Sequence, residues 1–314
     1  MKRNLLRTTA LFLAAVLCGA WLTGCGQPAG STGSSAPASS AAAAAPNLAP
    51  EDIPRLDGST ACIPLMAQML HETTGISLEE AESTITVSTT GYAWLNMLYP
   101  EMSTAPQLLL VYEAPEYIQQ QVAQSDVKLE VKPIGRDALV FLANEANPVN
   151  NLTTQQLLNI YGGQTTNWQQ VGGADAPIVA YQRSEDSGSQ TMFRKLLMKD
   201  NPLMDAPSHL APGGMGELVD EVASYNNTAN ALGFSVYYYI EQMYSQPGLK
   251  LMSVDGVAPT DATIEARSYP LGNEFFAVIR ADAAADSPER LLFDWLTTDA
   301  GAQCLRTAGY VPAR

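Results

Sequence analysis

Short apolar or alternating runs at residues 86–87, 108–111, 127–131, 138–143, 178–181, 233–238 and 275–279 predict strands. Helical spacing fills the intervals. Ile63, Met66, Ala67 and Leu70 recur at i, i+3, i+4 and i+7, one face of a helix. Thr153 is placed to cap a helix over 154–161, which Gly162-Gly163 ends. Further helices are expected over 92–98, 190–198 and 217–225. Ser287-Pro288 opens the last one, with a cap and a proline in its first turn. Strands alternating with helices predict an α/β fold with a mainly parallel sheet.

The first 50 residues follow a different pattern. Lys2 and Arg3 open a short basic region, and 11–22 is an apolar run too short for a membrane span. Residues 1–24 therefore read as a signal peptide. The segment ends in Leu22-Thr23-Gly24-Cys25, which resembles the lipobox of bacterial lipoproteins. That resemblance implies cleavage before Cys25 and lipid on its sulfur; the alternative is an ordinary signal peptide that contains a cysteine. Residues 26–50 carry no charge and are nearly all Ala, Ser, Gly, Pro and Thr. They cannot bury enough surface to offset ordering entropy, so 25–50 is expected to be a flexible tether.

Composition narrows the function. The 314 residues are 46% hydrophobic, enough for two cores. Net charge is −15; without 1–24, which holds three cations and no acids, 14 cations face 32 acids, or −18. That balance argues against nucleic acid or anionic lipid as the main partner, since both need a basic footprint. Two histidines (His71, His209) and four cysteines leave little for a metal site, and HExxH, CxxC pairs and the P-loop are absent. No metal or cofactor is expected. Beyond Cys18 and Cys25, Cys62 and Cys304 remain, and their pairing is open.

Three turns carry candidate chemistry: Asp57-Gly58-Ser59-Thr60, Ser88-Thr89-Thr90-Gly91, and the stretch from Arg183 through Ser187, Gly188 and Ser189. Each sets Gly with Ser or Thr between a strand and a helix. First-turn N–H groups and the helix dipole favour an anion there. N-capping alone also selects Ser and Thr.

Arg183-x-x-x-Ser187-Gly188-Ser189 resembles the anion-binding motif of bacterial phosphate-binding proteins, the solute receptors of phosphate ABC importers. Gly58-Ser59-Thr60 with Pro64 resembles that family's opening loop. Gly135-Arg136-Asp137-Ala138 leading to Asn147-Pro148-Val149, and Asn159-Ile160-Tyr161-Gly162-Gly163 with Asn167-Trp168, resemble its entry into the second lobe. Gly309-Tyr310-Val311-Pro312 resembles its C-terminal end. The resemblance implies a two-lobed periplasmic-binding-protein-like fold, two α/β lobes joined by two crossover strands. The lobes are expected at 51–136 plus 271–314 and at 137–270. By position, Thr60, the Ala61 N–H and Thr89 or Thr90 would donate to the anion from one lobe. Arg183, Ser187, the Gly188 N–H and Ser189 would donate from the other.

The family also uses an acidic acceptor after an apolar strand, which selects a protonated anion. Here the nearest equivalent is Glu113 in Tyr112-Glu113-Ala114-Pro115; a first-turn helix acid is the competing reading. Other candidates are weaker. Ser125-Asp126-Val127-Lys128 matches S-x-x-K but leads into a strand, and no GxSxG exists. Tyr237-Tyr238-Tyr239 reads as a buried strand end before a stacking surface. The expectation is a lipid-anchored extracytoplasmic receptor, not an enzyme, that takes phosphate or a similar oxyanion and passes it to an ABC permease. It would meet the membrane only through the Cys25 lipid and bind no nucleic acid. The alternatives are a receptor for another small anion and a surface sensor or interaction protein that kept the fold.

Overall fold

The computed structural model describes residues 44–205, 219 and 230–314. The chain enters through β1 (Leu56–Gly58), a 3-10 turn at Thr60–Cys62, α1 (Ile63–Thr74), α2 (Leu78–Thr84) and α3 (Thr90–Met97). The fully buried β2 (Leu108–Val111) leads to α4 (Glu116–Gln124) and the 16-residue β3 (Leu129–Asn144). Then come β4 (Asn151–Leu152), α5 (Thr154–Tyr161), β5 (Val179–Ala180) and α6 (Gly188–Met192), which runs on as a π turn over Phe193–Met198. β6 (Ala231–Val236), β7 (Leu249–Leu251), β8 (Ser253–Val254) and α7 (Asp261–Glu265) follow. β9 (Gly272–Arg280), α8 (Pro288–Trp295), α9 (Asp299–Thr307) and β10 (Val311–Pro312) end the chain.

Two long strands organise these elements. Residues 129–138 of β3 pair antiparallel with β9, which pairs antiparallel with β2, and β2 pairs parallel with β1. From Leu139 onward the same β3 pairs with β6 and β7 instead, and β6 pairs parallel with β5. β3 therefore crosses from one half of the sheet to the other. The fold is two-lobed α/β.

The expected mainly parallel sheet is corrected: among the described residues, five strand pairs are antiparallel and three are parallel. Strand–helix–strand units make the parallel pairs, but β3 and β9 run against all their neighbours. The runs 127–131 and 138–143 are one strand, not two. Pro133 has no N–H to give the ladder, and the register with β9 shifts between Pro133 and Gly135 to accommodate it. Residues 86–87 form no strand. That segment is held by a side chain, since Asp57 accepts both Ser88 N and Ser88 Oγ, at 2.7 and 2.5 Å.

Ser287 stands at the start of α8 with Pro288 in its first turn, but its side chain makes no cap bond, and α9 rather than α8 is the last described helix. Thr153 caps α5 in a reciprocal box with Gln156. The core behind α5 and α6 is aromatic, with Phe193 and Phe234 stacked at 4.3 Å. Cys62 and Cys304 are buried free thiols, so they form no disulfide. The Ser125–Lys128 pair is a loop contact in which Lys128 Nζ donates to Ser125 O. The predicted 217–225 helix apart from Val219, His209, Cys25, the signal segment and the tether up to residue 43 lie outside the described residues.

Candidate functional site

The three turns converge. Asp57, 7% exposed at the end of β1, accepts from Gly58 N and from the Ser88 turn, tying the first two loops together. Ser59 Oγ then bonds Thr90 Oγ1 at 2.7 Å and accepts Tyr112 N at 3.1 Å. Gly58 must be glycine, because a Cβ there would lie 1.9 Å from Leu110 O. The third turn comes from the other half of the sheet and closes against the second. A Cβ on Gly188 would lie 2.6 Å from Thr90 Oγ1, and Gly91 N donates to Asp186 O at 3.2 Å.

Between them lies a cavity of about 320 Å³. Thr60, Ala61, Thr89 and Thr90 line it from the first two turns. Arg183, Ser187, Gly188 and Ser189 line it from the third. Arg183 is 7% exposed, and its backbone N donates to Gln190 Oε1 at 3.1 Å. Ser187 Oγ and Ser189 Oγ sit 2.9 Å apart, both buried. The Ala61 and Gly188 N–H groups belong to first turns, where helical geometry supplies no acceptor. Thr89 holds φ +82°, a conformation that a β-branched residue rarely adopts, at the start of α3.

Glu113 does not join this group. Tyr112 takes the inward direction, 1% exposed, with its hydroxyl on Asp137 Oδ2. The next side chain along an extended segment points the opposite way. Glu113 accordingly lines a different cavity, and Lys195 Nζ donates to its Oε2. The carboxylate that lines the first cavity is Asp186, whose Oδ1 accepts from Tyr117 OH. Ser59, Tyr112, Ser184, Asp186 and Tyr239 also line that cavity, and none of them was expected as a ligand. Asp186 and Ser59 sat inside the quoted turns, at positions without a motif role.

A second tier supports the first. Tyr310 OH donates to Ala61 O at 2.6 Å, and its ring stacks on Tyr238 at 3.5 Å. Tyr238 is a buried ring in the turn after β6, not an exposed stacking surface. Its N–H donates to Asp137 Oδ1 at 3.1 Å. Burial raises the Asp137 carboxyl to about 6, although Tyr112 OH and the Ala138 and Tyr238 N–H groups pull it down. The cavity thus offers hydroxyls, first-turn N–H groups and one guanidinium, a donor set suited to a small multivalent anion. Among the described residues, no group of three or more His, Cys, Asp or Glu is placed to hold a metal ion, and no helix is long and apolar enough to cross a membrane.

A family model described as a PBP superfamily domain matches residues 118–299. Among curated relatives, the phosphate-binding protein PstS of Borreliella burgdorferi is 24% identical over 180 residues, 56% of this chain and 63% of that protein. Protein SphX of Synechococcus elongatus is 29% identical over 189 residues, 57% of this chain and 55% of that protein. The chain spans less than two thirds of the length of these relatives. Among solved structures, a Clostridium perfringens protein with bound phosphate aligns at TM-score 0.63 and 20% identity, over 82% of this chain and 98% of that one. An ABC-type phosphate transport receptor from Vibrio cholerae aligns at TM-score 0.59 and 24% identity, with the same coverage. These structural likenesses carry the fold.

Proposed function

This chain belongs to the PBP superfamily, and we propose that it is a lipid-anchored extracytoplasmic receptor that captures phosphate, or a similar tetrahedral oxyanion, between its lobes. The reading places a signal peptide at 1–24, the lipid on Cys25 and a tether at 25–50, whose end is docked where Leu48 N donates to Thr73 O at 2.8 Å. It places one lobe at 51–136 plus 271–314 and the other at 137–270. The loaded, closed form delivers the anion to an ABC permease; catalysis plays no part.

One observation carries the reading. Arg183, Ser187, Gly188 and Ser189 from one half of the fold face Thr60, Ala61, Thr89 and Thr90 from the other across one small cavity. Three helix starts contribute roughly +0.5 each. Arg183 adds one full charge, and an ionised Asp186 removes one. The sum, about +1.5, approaches the charge needed for a dianion without a metal. The names of the relatives point to phosphate among such anions.

Glu113, the acceptor expected to demand a protonated ligand, lines a different cavity, so a receptor for another small anion stays the second reading to be tested. Calorimetric titration of ligand-stripped protein at pH 7.5 separates the two. Phosphate binding without sulfate binding supports the first reading. Equal binding of both supports the second. No heat with either, from a folded sample, removes both.

A further inference from the structure

We infer that Glu113 with Lys195, and Tyr117 with Asp186, form a clasp across the cleft mouth that holds the two lobes together over the anion cavity. Glu113, Lys195 and Tyr117 are positioning residues and not ligands. This rests on the solute-receptor reading and deepens it.

The contacts are specific. Lys195, on the π turn after α6, donates through Nζ to Glu113 Oε2, joining residues 82 apart in sequence. Glu113 Oε1 accepts from Gln119 Nε2 at 3.3 Å, so both carboxylate oxygens are engaged. Tyr117, on α4, donates to Asp186 Oδ1 across a sequence separation of 69. Arg194 does not compete for Glu113, because its Nε and Nη2 bind Glu185 at 2.8 and 2.6 Å.

The location separates the clasp from the ligand. Glu113, Tyr117 and Lys195 line a cavity of about 680 Å³ between α4 and the α6 segment, and none of them lines the anion cavity. Asp186 is the one member that does. Beside it, Gly91 N donates to Asp186 O, a backbone bond that forms only when the two turns meet.

The consequence follows from population arithmetic. A receptor that binds only when closed has an apparent Kd equal to the intrinsic Kd divided by the closed fraction. Bonds made only in the closed form raise that fraction without touching the ligand. Side-chain exposures of 25% for Glu113 and 49% for Lys195 limit the pair to a modest effect, about 2- to 5-fold in affinity.

The test uses the full chain in detergent, with phosphate as probe and hydrogen exchange of the segment containing Gly91 as a second readout. Glu113→Gln and Lys195→Met are each expected to weaken phosphate binding about 2- to 5-fold and to speed exchange at Gly91 in anion-free protein. The swap Glu113→Lys with Lys195→Glu is expected to restore both. Unchanged affinity and exchange in the single variants overturns the proposal, as does a swap no better than the two single effects added. If the parent protein binds no phosphate, the receptor reading fails, and Gly91 exchange still decides the clasp.

Discussion

The Tyr112 hydroxyl donates to Asp137 Oδ2 at 2.5 Å, linking the residue after β2 to the middle of the crossover strand β3. Asp137 is 2% exposed and its carboxyl is raised from 3.8 to about 6. The folded protein therefore holds a proton that the unfolded chain releases. Its contribution to stability is fully present below the unfolded value and is lost as pH rises through the folded one. Between pH 4 and 6 this removes about 2 kcal/mol. Urea midpoints across that range should fall less steeply for Asp137→Asn than for the parent protein. Parallel curves would count against the assignment.

Thr89 stores strain beside the cavity. Its φ of +82° costs a β-branched residue on the order of 1–3 kcal/mol, and glycine adopts it freely. Thr89→Gly should raise unfolding stability by about 1 kcal/mol after the added chain entropy is counted. It should also weaken anion binding, through the lost hydroxyl. A variant less stable than the parent would show that Thr89 is not strained.

Tyr310 reaches from the C-terminal segment to the first turn, where its hydroxyl meets Ala61 O. Tyr310→Phe leaves that buried carbonyl without its donor. The expected loss is about 1–2 kcal/mol of stability. A few-fold weaker phosphate affinity should accompany it, read by titration, because the Ala61 N–H is on the same turn. Loss of stability with unchanged affinity would confine Tyr310 to packing.

The charge distribution sets the kinetics. The −18 carried beyond residue 24 gives no long-range attraction for an anion. Raising ionic strength should therefore not slow association in stopped flow. A rate that falls steeply with salt would reveal a local positive field stronger than Arg183 and the helix starts supply.

The legible features were those encoded by neighbours in sequence. The α5 capping box needs only Thr153 and Gln156. The third turn needs only Arg183 to Ser189, and its residues do line one cavity with Thr60 and Thr90. The illegible features depend on partners far along the chain. Strand direction followed from β3, which pairs antiparallel with β9 in one half of the sheet and with β6 and β7 in the other, and no local period reports that. Residues 86–87 have strand chemistry but form no ladder, and the residue after them, Ser88, is held by Asp57. Glu113 and Tyr112 are adjacent, and the partner that the inward Tyr112 meets, Asp137, is 25 residues away in sequence.

Arg183→Ala tests most directly whether the cavity holds an oxyanion against the Arg183 guanidinium. Phosphate is titrated into ligand-stripped parent and variant at pH 7.5, with circular dichroism confirming that both are folded. Saturable binding by the parent and a loss of at least about 100-fold in the variant is predicted, since an anion in that cavity loses its one guanidinium. Equal affinities in two folded proteins would contradict it.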